Sequence, residues 1–124
     1  QLPLGHKILL VDDSAMIRKA LRRYLGKLGY NNVIEADDGL TAIEALKNES
    51  PDFMFMDVVM NNMNGDVALK EIRKMDCNVP IVMLSSVTDK TLVDDCQQAG
   101  ISGFIFKPIQ ANNGAEIIKD YLKI

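Results

Sequence analysis

The sequence predicts an α/β protein: one doubly wound, five-stranded parallel sheet with five helices. Three observations predict it. Short apolar runs without alternation, Ile8 to Val11, Phe53 to Met56 and Ile81 to Leu84, read as strands covered on both faces, as parallel strands are. Between them apolar residues recur at helical spacing, the pattern that calls for right-handed crossovers and helices on both sides of a sheet. The runs also end on residues suited to chemistry: Asp12 and Asp13, then Asp57, then Ser85, and Lys107 with Pro108 after Phe104-Ile105-Phe106. The carboxyl ends of parallel strands lie together, at the edge where ligands bind.

The elements follow in order. After Asp12-Asp13, residues Ile17, Leu21, Tyr24, Leu25 and Leu28 share one helical face, with Ser14 as cap and Gly29 as stop. Asn32 to Ala36 reads as a short strand. Asp37-Asp38-Gly39 turns into a helix carrying Ala42, Ile43, Ala45 and Leu46, and Pro51 ends that stretch. Gly65 to Met75 carries Ala68, Leu69, Ile72 and Met75 on one face; Thr88 to Ala99 carries Leu92, Val93, Cys96 and Ala99; Ala115 to Leu122 carries Ile117, Ile118, Tyr121 and Leu122.

Length and composition bound the rest. With 124 residues, 48% hydrophobic and 25% charged, the chain matches one domain with one real core. Its net charge of −3, from 17 acids and 14 bases spread along the sequence, leaves no basic stripe for nucleic acid or an anionic membrane. Cys77, Cys96 and the single histidine His6 lack the spacing of a zinc site or a disulfide framework. No run of 18 apolar residues occurs, so the expectation is a cytoplasmic protein with reduced thiols. Residues 1–6 read as a leader or an appended remnant, and residues 7–124 as the domain.

Three carboxylates within about 5 Å repel by about 3 kcal/mol per pair at an effective dielectric near 20, a cost comparable to a small domain's stability. A hard divalent cation offsets it: Mg²⁺ takes oxygen ligands, commonly one or two carboxylates plus a phosphate. Lys107 adds a second positive charge, and the site becomes able to accept a phosphoryl group on one carboxylate. Asp57 is the nucleophile candidate because it stands alone at the end of its run, whereas the neighbouring Asp12 and Asp13 suit holding the cation. Ser85 can donate its hydroxyl to a phosphoryl oxygen, and Ser86 offers a backbone amide. Taken singly, Asp12 and Asp13 are ordinary turn or cap residues and Lys107 an ordinary surface lysine; their convergence carries the reading. Met54, Met56, Met60, Met63 and Met83 read as core and loop fillers.

On Ile8-Leu9-Leu10-Val11-Asp12-Asp13-Ser14, Glu35-Ala36-Asp37-Asp38-Gly39, Met56-Asp57, Met63-Asn64-Gly65, Pro80 to Ser85, Ala99-Gly100 and Lys107-Pro108, the chain resembles a response-regulator receiver domain of the CheY-like family over essentially its whole length. The resemblance implies a flavodoxin-like (βα)5 fold and a phosphoryl group passed to Asp57 from a phosphohistidine of a histidine kinase or phosphotransfer domain. It implies Mg²⁺ held by Asp13, Asp57 and the Val59 carbonyl, with Asp12 acting mostly through a bound water. Phosphoryl oxygens would meet Lys107, the Ser85 hydroxyl and the backbone amides of Val58 and Ser86. It further implies a cis peptide before Pro108, a switch pair of Ser85 and Phe104, and an output face formed by the fourth helix, fifth strand and fifth helix. That face would engage a downstream effector such as a flagellar motor switch, with the protein a monomer and not a metabolic enzyme. A kinase-docking role for the basic first helix, Arg18, Lys19, Arg22, Arg23 and Lys27, belongs to the same implication; by themselves those residues read as a solvated face.

The sequence departs from the commonest family pattern at Asn61, where a proline is usual, and this predicts a more mobile loop. Val59 and Val87 flank the path of an attacking water with apolar side chains and predict slow autodephosphorylation. Alternative readings are a receiver cut from a larger regulator or phosphorelay protein, and an unphosphorylated docking module, which would be expected to lack an acid or the lysine. A haloacid-dehalogenase-type phosphatase would need a second aspartate two residues after its nucleophile. A flavodoxin-like carrier would not place Asp12 and Asp13 where a cofactor phosphate must bind.

Overall fold

The structure, a computed structural model, describes residues 2–86, 90–110 and 112–122. Ten elements alternate: β1 (Ile8–Val11), α1 (Ala15–Lys27), β2 (Val33–Ala36), α2 (Gly39–Glu49), β3 (Phe53–Asp57), α3 (Gly65–Lys74), β4 (Ile81–Ser85), α4 (Lys90–Ala99), β5 (Gly103–Phe106) and α5 (Gly114–Tyr121). The strands form one parallel sheet in the order β2-β1-β3-β4-β5. β1 therefore lies beside β3, with Val11 opposite Met56, and the ends carrying Asp12 and Asp57 are neighbours.

The apolar runs are strands because both of their faces are covered: every residue of β1, β3 and β4 is buried. Alternate residues feed two cores. Leu9, Val11, Met54, Met56, Ile81 and Met83 face α2, α3 and α4, while Ile8, Leu10, Phe53, Phe55, Val82 and Leu84 face α1 and α5. The edge strand β2 carries Ile34 and Glu35 only partly covered or exposed.

Local signals set the helix boundaries. Ser14 caps α1 by accepting from Ile17 N, and Gly29 leaves the helix at φ +96°, a conformation glycine adopts without a Cβ penalty. Asp38 and Thr41 form a reciprocal capping box at the start of α2. α3 stops one residue short of the expected Met75, which is its C-cap and 40% exposed. α5 begins one residue earlier than expected, at Gly114, where a Cβ would come within 2.7 Å of the Tyr24 ring. Thr88, the expected start of α4, lies outside the described residues, as does Gln1.

The stretch read as a leader packs onto the sheet's amino end. Leu2 is buried, its amide donates to Leu122 O at 3.0 Å, and the Tyr30 hydroxyl donates to Leu2 O at 2.5 Å. No helix among the described residues is long and apolar enough to cross a membrane.

Candidate functional site

The site is assembled by strand ends. Asp12 follows β1 and is 1% exposed; Asp57 is the last residue of β3 and Ser85 the last of β4, both buried; Lys107 follows β5. Asp13 stands exposed beside them. The Lys107–Pro108 peptide is cis. The Lys107 amide donates to Ser85 O at 2.8 Å, so the lysine leaves the sheet from a fixed point. Its ammonium then reaches Asp12 Oδ2 at 2.8 Å and Asp57 Oδ1 at 3.2 Å.

Asp12 is held from two further directions. Its Oδ1 accepts from Ser14 N at 2.9 Å, and its main-chain carbonyl accepts from Arg18 Nη1 at 2.5 Å. Arg18 in turn pairs with Glu35 at 2.8 Å, and Arg22 reaches the same carboxylate at 2.8 Å. Part of the helix face that the sequence presents as merely solvated thus ties α1 to β2 and to the end of β1. Two cations around one exposed acid are the signal that could have shown it.

The electrostatics follow from the crowding. Burial, and then the Asp12 charge, push the Asp57 carboxyl above its ordinary value, and Lys107 only partly opposes them. For Lys107 burial acts downward, but the hydrogen bond and charge of Asp12, with those of Asp57, win and leave its pKa raised. One cation therefore serves two buried carboxylates, and a third acid stands alongside.

Asp12, Asp13 and Asp57 each offer an oxygen, and these oxygens lie within 4.8 Å of one another. Val59, after Asp57, engages no backbone partner among the described residues, whereas the Val58 carbonyl is taken by Gly65 N at 2.7 Å. An all-oxygen donor set with excess negative charge fits Mg²⁺. Gly65 lets the loop close: a Cβ there would run into the Asp57 carbonyl oxygen.

The remaining candidates are placed as follows. The Val58 amide donates to Leu84 O at 3.0 Å, so binding a phosphoryl oxygen would require it to share or leave that bond. Ser86 is exposed directly after Ser85. The Val59 side chain is 57% exposed. Phe104 is half-buried, pairs across the sheet with Met83 and packs on the core shared by α2, α3 and α4; its ring centroid lies 5.2 Å from that of Phe106. Val87 lies outside the described residues.

The loop of residues 58–64 is tied to the start of α2 despite Asn61. Asn62, at φ +64°, donates Nδ2 to Asp38 Oδ2 at 2.5 Å, and Gly39 N donates to Met63 O at 3.2 Å. Sequence reasoning missed this pairing, since Asp38 and Asn62 each have a sufficient local explanation, as a cap and as a left-handed turn residue.

A sequence model of the response regulator receiver domain family matches residues 8–119. The chemotaxis protein CheY of Bacillus subtilis is 41% identical over 119 residues, spanning 96% of this chain and 99% of that protein. The chemotaxis protein CheY of Thermotoga maritima is 37% identical over 120 residues, spanning 97% of this chain and all of that protein. Among solved structures, a CheX–CheY–BeF3 complex with magnesium from Borrelia burgdorferi superposes with TM-score 0.86 at 30% identity, covering 98% of this chain and 87% of that one. The chemotaxis response regulator CheY4 of Vibrio cholerae gives TM-score 0.84 at 28% identity, covering 95% and 99%.

Proposed function

The chain belongs to the response regulator receiver domain family, and from that membership we propose that Asp57 accepts a phosphoryl group and that the domain is a chemotaxis-type signalling switch. The observation that carries this reading is the single ammonium of Lys107 bridging Asp12 and Asp57 beside a third carboxylate.

Asp13, Asp57 and the Val59 carbonyl, with Asp12 mostly through a bound water, would hold Mg²⁺, which would supply positive charge to the phosphoryl oxygens. Asp57 must be ionised to attack, and the positive charge at the site opposes the burial that favours its protonated form. A carboxylate oxygen of Asp57 attacks phosphorus while the bond from phosphorus to the donor histidine nitrogen breaks; the leaving imidazole takes up a proton, and an acyl phosphate remains. Lys107 neutralises a phosphoryl oxygen, and the Ser85 hydroxyl and the amides of Val58 and Ser86 donate to the others. Dephosphorylation is a separate step in which water attacks phosphorus, the bond from phosphorus to the Asp57 oxygen breaks, and inorganic phosphate leaves the carboxylate free. The exposed Val59 side chain offers that water no hydrogen bond, so loss of phosphate is slow.

The donor is a histidine kinase or phosphotransfer domain. The response is read on the face of α4, β5 and α5, where Ser85 moving toward phosphate draws Phe104 inward and changes the surface seen by an effector such as a flagellar motor switch. The protein acts as a cytoplasmic monomer and catalyses only its own phosphorylation and dephosphorylation.

Intact mass after incubation with acetyl phosphate and Mg²⁺ tests the reading. One phosphoryl adduct, absent in Asp57→Asn, supports it. No adduct on the wild-type chain would leave a docking module instead.

A further inference from the structure

The loop that leads away from Asp57 needs something to hold the Val59 carbonyl where a cation can use it. Asn61 leaves the backbone without proline's restraint, and Asn62 adopts a left-handed conformation at φ +64°. What fixes the crest of the loop is the start of α2. The two oxygens of Asp38, a buried residue, have divided roles: Oδ1 accepts from Thr41 N at 2.8 Å and caps the helix, while Oδ2 accepts from Asn62 Nδ2 at 2.5 Å. Gly39 N donates to Met63 O at 3.2 Å, and a Cβ on Gly39 would lie 2.8 Å from that oxygen, so the loop lies flush against the helix. Farther along, Asn64 Oδ1 accepts from Met60 N at 3.0 Å. Met60 N belongs to the same peptide as the Val59 carbonyl, and the bonds of Asn62 and Met63 fix the backbone that follows it.

We propose that Asp38 and Asn62 form a positioning pair that ties the metal-facing loop to the cap of α2 and thereby sets the domain's affinity for Mg²⁺. The inference rests on the proposed role of Asp12, Asp13, Asp57 and the Val59 carbonyl as cation ligands. Neither member of the pair touches the cation; each acts through the peptide of Val59. Partners that orient a ligand matter to a metal site nearly as much as the ligand does, and removing one costs at least about tenfold in affinity.

Asn62→Gly is the informative change, because glycine keeps the left-handed backbone and deletes only the amide. In an Mg²⁺ titration followed by backbone NMR shifts, this variant binds Mg²⁺ about tenfold more weakly than wild type, while its melting temperature in EDTA falls by only a few degrees, as the Asp38 carboxylate loses one donor. The exchanged pair, Asp38→Asn with Asn62→Asp, conserves charge: the amide introduced at the cap still accepts from Thr41 N through its oxygen and donates its nitrogen to the carboxylate introduced in the loop. Its Mg²⁺ affinity returns to near the wild-type value, which ties the loss in Asn62→Gly to the missing pair and not to the side chain at position 62 by itself. An unchanged affinity in Asn62→Gly, or no recovery in the exchanged pair, overturns the proposal. Asp13→Asn in the same titration isolates the underlying reading. If it binds Mg²⁺ as well as wild type, the ligand assignment fails first and the pair's role falls with it.

Discussion

The two faces of the sheet are packed with different kinds of side chain, although each strand contributes alternately to both. Toward α1 and α5 lie Phe53, Phe55, Tyr24 and Tyr30, with the half-buried Tyr121 packed against them. All three tyrosine hydroxyls are tied to backbone carbonyls there: Tyr24 to Ile109, Tyr30 to Leu2 and Tyr121 to Phe104. Toward α2, α3 and α4 lie Met54, Met56, Met60 and Met83 with Ala42, Ala68 and Cys96, and no tyrosine among the described residues. Aromatic rings with anchored hydroxyls leave few rotamers, whereas thioethers fill irregular space and repack cheaply. Phe104 packs on the methionine side. The difference teaches where a change at the strand ends can be absorbed: the aromatic side holds its shape, and the methionine side gives way.

The comparison is broken or sharpened most strongly at Phe55. Phe55→Ala empties a fully buried site on the rigid face and costs about 4 kcal/mol, whereas Met83→Leu on the other face conserves volume and costs under about 1.5 kcal/mol. Urea unfolding of both reads the contrast, and equal losses would abolish it. Gly114→Ala, pressing a methyl group on the Tyr24 ring, costs about 2 kcal/mol by overpacking, visible as a lower urea midpoint at unchanged slope. Tyr30→Phe removes the donor to Leu2 O and costs about 1 kcal/mol; amide exchange at Leu2 should quicken with it.

The smallest effect belongs to the strand ends, where neither face dominates. Asp57 has its carboxyl raised above 3.8 by burial and by Asp12. The stability it contributes in the metal-free protein is therefore complete below that ordinary value and lost as pH rises through the folded value. Asp57→Asn should be the more stable protein at neutral pH in EDTA, with the gap closing as pH falls through the folded value toward 3.8. A gap that instead widened toward acid would reverse the sign assigned here.

Much of this was legible in the residues. The uniform runs of β1, β3 and β4 announced strands covered on both sides, and the polar residue after each run announced the site, since only strand ends put residues as distant as Asp12 and Lys107 within 2.8 Å. What escaped was pairing between segments with adequate local meanings. Asp38 is a good cap and Asn62 a good turn residue, so nothing in either demanded the other. Leu2 escaped for a related reason: one leucine beside Pro3 has no periodicity, and its burial comes from the gap between Tyr30 and Leu122.

The close approach of Gly65 to Asp57 also bears on descent. Any side chain at position 65 would displace the last peptide of β3, and the Gly65 N to Val58 O bond closes the path between them. A duplicated copy drifting toward new partners is free to rewrite the outer surfaces of α4 and α5, but it can neither lengthen this stretch nor replace that glycine without moving Asp57. Lineages from such an ancestor should diverge in whom they address and coincide in how they are charged.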